Sequence, residues 1–171
     1  LAVAGSRDVL RVRARIGVDL MDSSVLRRGR PAAHRQFEAL HANAGWLGDS
    51  AAFGRAGALL LGDLLVMWSA QMLHGAGLDQ STLERALPIV EAMRTEVTCG
   101  QYLDIVAQAH PLRKRAPAIG SLRPTIELAL DDASRVVEYK AARYTVQRPC
   151  QMGAALGDGE ERAGQVAMAE A

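Results

Sequence analysis

The run Ala56–Leu73, AGALLLGDLLVMWSAQML, limits the fold more than any other stretch of the sequence. It is nearly long enough to span a bilayer. Asp63 stands in its middle, and a carboxylate at that depth costs about 3 kcal/mol in lipid. The run therefore predicts a buried core helix of a soluble protein with no membrane span. A carboxylate taken out of water needs a partner, so Asp63 should find a salt bridge or hydrogen bond. Met67, Trp68 and Met72 recur at helical spacing and read as core rather than as the wall of a ligand tunnel.

The rest of the chain is helical in the same way. Ala, Leu, Met, Glu, Gln and Arg are abundant, and no Asn-Gly or Asp-Gly turn joins two alternating runs. A helix is expected over Val9–Asp22, then a loop through Arg27, Arg28, Gly29, Arg30 and Pro31, then a short helix from Pro31 to Asn43. Asp49 or Ser50 should cap a helix over Ala51–His74 that Gly75 and Gly77 end. Asp79 or Ser81 should cap the next, running to about His110 with Pro88 near its first turns. A loop over Pro111–Gly120 leads to a helix over Thr125–Thr145, and the tail from Gly157 reads as loose. The fold class is all-α, a helical bundle of four or five substantial helices.

Hydrophobic residues make up 49% and charged residues 23%, a globular balance. The net charge of +1 gives no field that would gather nucleic acid. Cys99 and Cys150 have no short-spaced partners, so neither a disulfide framework nor a zinc site is expected. They read as small packed residues in a reducing, cytoplasmic setting.

Asp19 and Asp22 lie three apart, which on a helix puts both carboxylates on one face. Magnesium takes one or two such carboxylates together with phosphate oxygens and water. Arg27 and Arg28 follow on a loop shaped by Gly29 and Pro31, and arginines give phosphate planar, charge-assisted donors. Carboxylates and arginines in this order suit a metal and a diphosphate together. Two nearby aspartates or an arginine-rich loop alone would more simply be solvated surface. Asp131 and Asp132 read as helix surface, and His34, followed by Arg35, as exposed or capping.

The run DLMDSSVLRRGRPAAH resembles the first aspartate-rich motif of trans-type polyprenyl diphosphate synthases, DDxxD, and the RRGxP that follows it. LLLGDLLVMWSAQML resembles the Gly-Asp core helix of that family. EVTCGQYLDI is similar to its Glu-x-x-x-Gly-Gln-x-x-Asp helix, and YKAARYTVQRPCQMGAAL to its Lys-Thr-x-x-Tyr segment. The resemblance implies one partial polyprenyl synthase domain over 1–171, family-like over about 19–156 and divergent over 1–17 and 157–171. It implies the isoprenoid synthase bundle, incomplete. It also implies Mg2+-dependent head-to-tail condensation of isopentenyl diphosphate with an allylic diphosphate. Asp19 and Asp22 then match metal ligands, Arg27 an allylic diphosphate ligand and Arg28 an isopentenyl diphosphate ligand. Lys140 matches a lysine that reaches the allylic diphosphate, with Gln101 and Asp104 lining the cavity. The family implies a homodimer, or a heterodimer with a full-length synthase.

Three departures set the expectation of activity. Val18 stands where the family has its first motif aspartate, a usual magnesium ligand. Leu1–Gly17, with Arg11, Arg13 and Arg15, does not resemble the preceding helix of the family. The second aspartate-rich motif expected after Lys140 is not found. Losing several transition-state contacts costs many orders of magnitude in rate, so the expected chain is a weak or inactive prenyltransferase, a non-catalytic helical partner, or a relic.

Overall fold

A computed structural model describes residues 2–109 and 123–157. Its contacts divide the chain into two compact units, Leu1–Leu78 and Asp79–Ala171.

The first unit holds helix α1 (Ala2–Met21), a hairpin of strands β1 (Leu26–Arg27) and β2 (Arg30–Pro31), helix α2 (Ala33–Asn43) and helix α3 (Ser50–His74). Small residues let these helices approach closely. Ser6 donates to the Ser69 carbonyl at 2.6 Å and sits 3.1 Å from its hydroxyl, both side chains being buried. With Gly5 facing Met72 and Gly62 facing Arg13, α1 and α3 run antiparallel. A Cβ on Gly54 would lie 2.4 Å from the His34 carbonyl, so only glycine admits α2 there. The loop between α2 and α3 is pinned by His41, 3% exposed, whose ring nitrogens meet Ser50 Oγ and the Leu47 carbonyl, each at 3.1 Å. Asp49 caps α3 by accepting from the Ala51 amide at 2.9 Å, as its residue type predicts.

The second unit holds helix α4 (Gln80–Ala109), helix α5 (Arg123–Val137), a π-helical segment over Glu138–Gln147 and helix α6 (Arg148–Leu156). Asp79 caps α4, accepting from the Thr82 amide at 2.9 Å and the Thr82 hydroxyl at 2.8 Å. Its three hydrogen bonds, led by Ser81, hold its carboxyl well below the usual carboxylate range. The core here is Ala86, Val90, Met93, Tyr144, Met152, Ala154 and Ala155.

Several expectations change. The first helix begins at Ala2, well before Val9. The expected helix over Thr125–Thr145 instead opens at Arg123, widens into a π segment and continues as α6 to Leu156. Pro149 does not stop it; it falls where the π segment hands over to α6, and the helical path continues through it. Asp63 is exposed rather than buried, and Met67 and Trp68 are 57% and 47% exposed rather than core. The side of α3 that meets α1 and α2 is built of Gly54, Ala58, Gly62, Ser69 and Leu73, so close approach consumes the small residues and leaves the large ones outside. By length and composition Ser50–His74 is a helix that could cross a membrane, with a mean hydropathy of 1.5 over an 18-residue window. Cys99 and Cys150 are exposed, not packed. His34 is buried at 8% exposure rather than exposed, and its backbone carbonyl packs against Gly54 of α3. The expected loop over Pro111–Gly120 and the tail beyond Gly157 lie outside the described residues.

Candidate functional site

The first cluster is built where α1 ends. Ser23 takes a left-handed φ of 52° and closes the helix. The Ser24 amide donates to the Asp19 carbonyl at 2.9 Å and the Ser23 amide to the Leu20 carbonyl at 3.4 Å, the paired contacts of a Schellman cap. The chain then reverses in a two-residue hairpin. Leu26 pairs with Pro31 and Arg27 with Arg30, so Arg28 and Gly29 form the turn. Both have positive φ, 51° and 76°, as a type I′ turn demands. The loop expected from Gly29 and Pro31 is thus a short β-hairpin. Arginine at the first turn position hid the signal, since Asn or Asp usually stands there.

The cap and the hairpin bring Arg27 back onto α1. Arg27 Nε lies 3.0 Å from each oxygen of Asp19, and Nη2 also meets Oδ1. Asp19 is 4% exposed, whereas the Arg27 side chain is 44% exposed. The Asp19 hydrogen bond is the main cause raising the Arg27 pKa above its ordinary value. Arg28 and Asp22 are exposed at the same end of the unit.

In the second unit, Lys140 Nζ meets Asp104 Oδ2 at 2.7 Å. The contact depends on Gly100, one turn before Asp104. A Cβ there would sit 2.4 Å from the Lys140 amide nitrogen and 2.6 Å from the Tyr139 carbonyl carbon. The widened π turn rests its backbone on this glycine. A π segment inside a helix often marks a functional position. Both polar atoms of the Gln101 amide are buried without a hydrogen-bond partner. Such a group costs about 1–3 kcal/mol unless water or a ligand meets it. A separate network secures the π segment. Glu96 accepts from Arg143 Nη1 at 2.8 Å, Arg148 Nε at 2.7 Å and Arg148 Nη2 at 2.5 Å. Its structural role was not foreseen, although Glu96 stands at the head of the EVTCGQYLDI run.

Among the described residues, no three His, Cys, Asp or Glu side chains gather as a metal cluster. Asp19 pairs with Arg27, and the side chain of Val18 offers no oxygen. Asp22 remains as an exposed carboxylate whose charge reaches Arg27. That donor set suits a magnesium ion that arrives with diphosphate oxygens and water, rather than one held by protein ligands alone.

Comparison with known proteins places this all-α fold in the isoprenoid synthase class. The Polyprenyl synthetase family model matches residues 18–170. The structure superposes on geranylgeranyl pyrophosphate synthase from Corynebacterium glutamicum, solved in complex with isoprenyl diphosphate and magnesium. The TM-score is 0.81 and the identity 32%, over 98% of this chain and 43% of that chain. The chain belongs to the polyprenyl synthetase family. It spans less than half the length of that relative.

Proposed function

We propose that the chain is the diphosphate-holding portion of a prenyltransferase of isoprenoid biosynthesis, acting on an allylic diphosphate and isopentenyl diphosphate. The observation that carries this reading is the Arg27–Arg28 hairpin at the end of α1, which packs Arg27 on Asp19, close enough to the exposed Asp22 to feel its charge, and places the exposed Arg28 in its turn. Arg27 is assigned to the allylic diphosphate and Arg28 to isopentenyl diphosphate. In the second unit, Lys140 is assigned to a substrate diphosphate, with Asp104 holding its ammonium and the unpaired Gln101 amide offering a donor and an acceptor to a bound ligand. Asp22 would hold magnesium together with diphosphate oxygens; bound there, the ion would neutralise the leaving diphosphate. The residues of this chain bind and orient that group, and fixed cations facing developing negative charge are worth most in a dry site.

With Val18 in place of one carboxylate, turnover by this length of chain should be slow. The test is incubation with geranyl diphosphate and radiolabelled isopentenyl diphosphate, with product extracted into solvent. Slow extension that Arg27→Ala abolishes supports the reading, and extension that Arg27→Ala leaves unchanged refutes it. Val18 also favours a second reading, a non-catalytic partner in a homodimer or a heterodimer with a full-length synthase. That reading expects no extension alone, but an altered rate when the chain is mixed with such a synthase.

A further inference from the structure

We infer that Glu96 is a positioning residue for Lys140: it fixes the π register of Glu138–Gln147, and that register lays Lys140 on Asp104. The inference deepens the proposed function and rests on its reading of Lys140 as a diphosphate ligand. Glu96, Gly100 and Asp104 follow one another at four-residue spacing, so they line one side of α4. Each of them meets the π segment or its end. Asp104 takes the Lys140 ammonium at 2.7 Å, and Gly100 gives the Lys140 backbone its seat. Glu96 takes two arginines, Arg143 at 2.8 Å and Arg148 at 2.7 Å. Those arginines are five apart, and residues five apart on an α-helix point about 140° away from each other. Spread that far round the axis, they would diverge rather than meet on one carboxylate of a neighbouring helix. The π register brings them into line, since its hydrogen bonds join residues five apart. Here the Arg148 amide donates to the Arg143 carbonyl. Glu138 stands five residues before Arg143 and accepts from its Nε at 2.9 Å, so the same spacing recurs. Glu138, Arg143 and Arg148 thus form a ladder of charges that the widened turns permit, and Glu96, 12% exposed, closes it from α4. A return to the α register would turn Lys140 from Asp104 or the arginines from Glu96. Gly100 allows the backbone to dock, and Glu96 decides which register docks.

Two measurements on the purified chain test this. In the first, the chain is acetylated with acetic anhydride at a temperature where circular dichroism shows it folded. Labelling of Lys140 is read by mass spectrometry against Lys114, the other lysine of the sequence. Glu96→Gln should raise Lys140 labelling severalfold, because the ammonium loses its hold on Asp104. Val90→Ala removes buried apolar atoms of α4 outside the ladder, so it should lower the thermal midpoint and leave the labelling as in wild type. In the second, inorganic pyrophosphate with magnesium is titrated by calorimetry into wild type, Glu96→Gln, Lys140→Ala and the double variant. Glu96→Gln should weaken binding by about tenfold, the scale of one charge-assisted bond, and add nothing in the Lys140→Ala background. Arg148→Gln, which leaves Glu96 its bond to Arg143, should act in the same direction in both measurements and takes the place of Glu96→Gln if that variant does not fold. Unchanged Lys140 labelling in the folded variant, a rise matched by Val90→Ala, or a pyrophosphate loss equal in both backgrounds overturns the inference. If wild type binds no pyrophosphate, the proposed function fails, and the labelling alone decides whether Glu96 positions Lys140.

Discussion

Replacing Glu96 by Gln keeps the shape of the side chain and removes the charge that holds the π segment. The Glu96 side chain is 12% exposed, and its partners Arg143 and Arg148 are 27% and 19% exposed. A hydrogen bond to a charged group contributes about 1.5–3 kcal/mol, and breaking a fully buried ion pair costs about 3–5 kcal/mol. Two arginines share this carboxylate, but both keep some water and Arg143 also meets Glu138. Discounted for that solvent, the expected loss is about 2–3 kcal/mol. At about 4–8 °C per kcal/mol for a unit of this size, the thermal midpoint of the second unit should fall by roughly 10–20 °C. The pH dependence supplies a second check. The hydrogen bonds from Arg148, then those from Arg143, outweigh burial and hold the Glu96 carboxyl below its ordinary 4.5. A depressed folded value means the contribution is complete above that ordinary value and is lost as pH falls through the folded one. The gap between wild type and Glu96→Gln, followed by circular dichroism melts, should therefore be flat above about pH 5 and narrow below it. A midpoint change under 2 °C, or a gap just as wide at pH 3 as at pH 7, would refute the reasoning (thresholds of about this size follow from the same ledger).

Gly100→Ala should be among the costliest single changes in the second unit. Its Cβ would meet the Lys140 amide at 2.4 Å, and overpacking of this kind costs about 1–3 kcal/mol. Denaturant titration measures it, and a neutral result would mean the π segment does not rest there. Arg28→Gly should leave the thermal midpoint unchanged or raised, because a left-handed φ of 51° suits glycine. It should still weaken pyrophosphate binding by about tenfold if Arg28 is a ligand. A clear fall in the midpoint would contradict the turn assignment. Gly54→Ala should separate α2 from α3, since the added carbon would lie 2.4 Å from the His34 carbonyl. Limited proteolysis in the loop between those helices reads the effect, and unchanged protection would count against that packing.

The helices were legible because caps and breakers act locally. Asp49 and Asp79 start α3 and α4 as their residue types predict, and Gly75 lies just past the end of α3. The Arg28–Gly29 hairpin was not legible, because arginine seldom takes the left-handed position and only its neighbours force it there. The π segment was equally hidden. Its cause is the backbone docked on Gly100, forty residues away in sequence. Burial failed for a related reason. An apolar run shows that α3 is a helix, but not that its small residues would form the packed face and leave Leu59, Leu60 and Trp68 outside. At the candidate site, the Asp19–Asp22 spacing pointed to the end of α1. It could not reveal that one carboxylate faces Arg27 while the other faces water, since that depends on the turn between them.

The central claim is that this chain keeps a working diphosphate grip. Its most direct test is calorimetric titration of the folded chain with a non-hydrolysable allylic diphosphate analogue, in wild type, Arg27→Ala and Lys140→Ala. Measurable binding by wild type, weakened by about tenfold or more in each variant, is the predicted result. No binding by a chain that circular dichroism shows to be helical, or equal binding by all three, would contradict it.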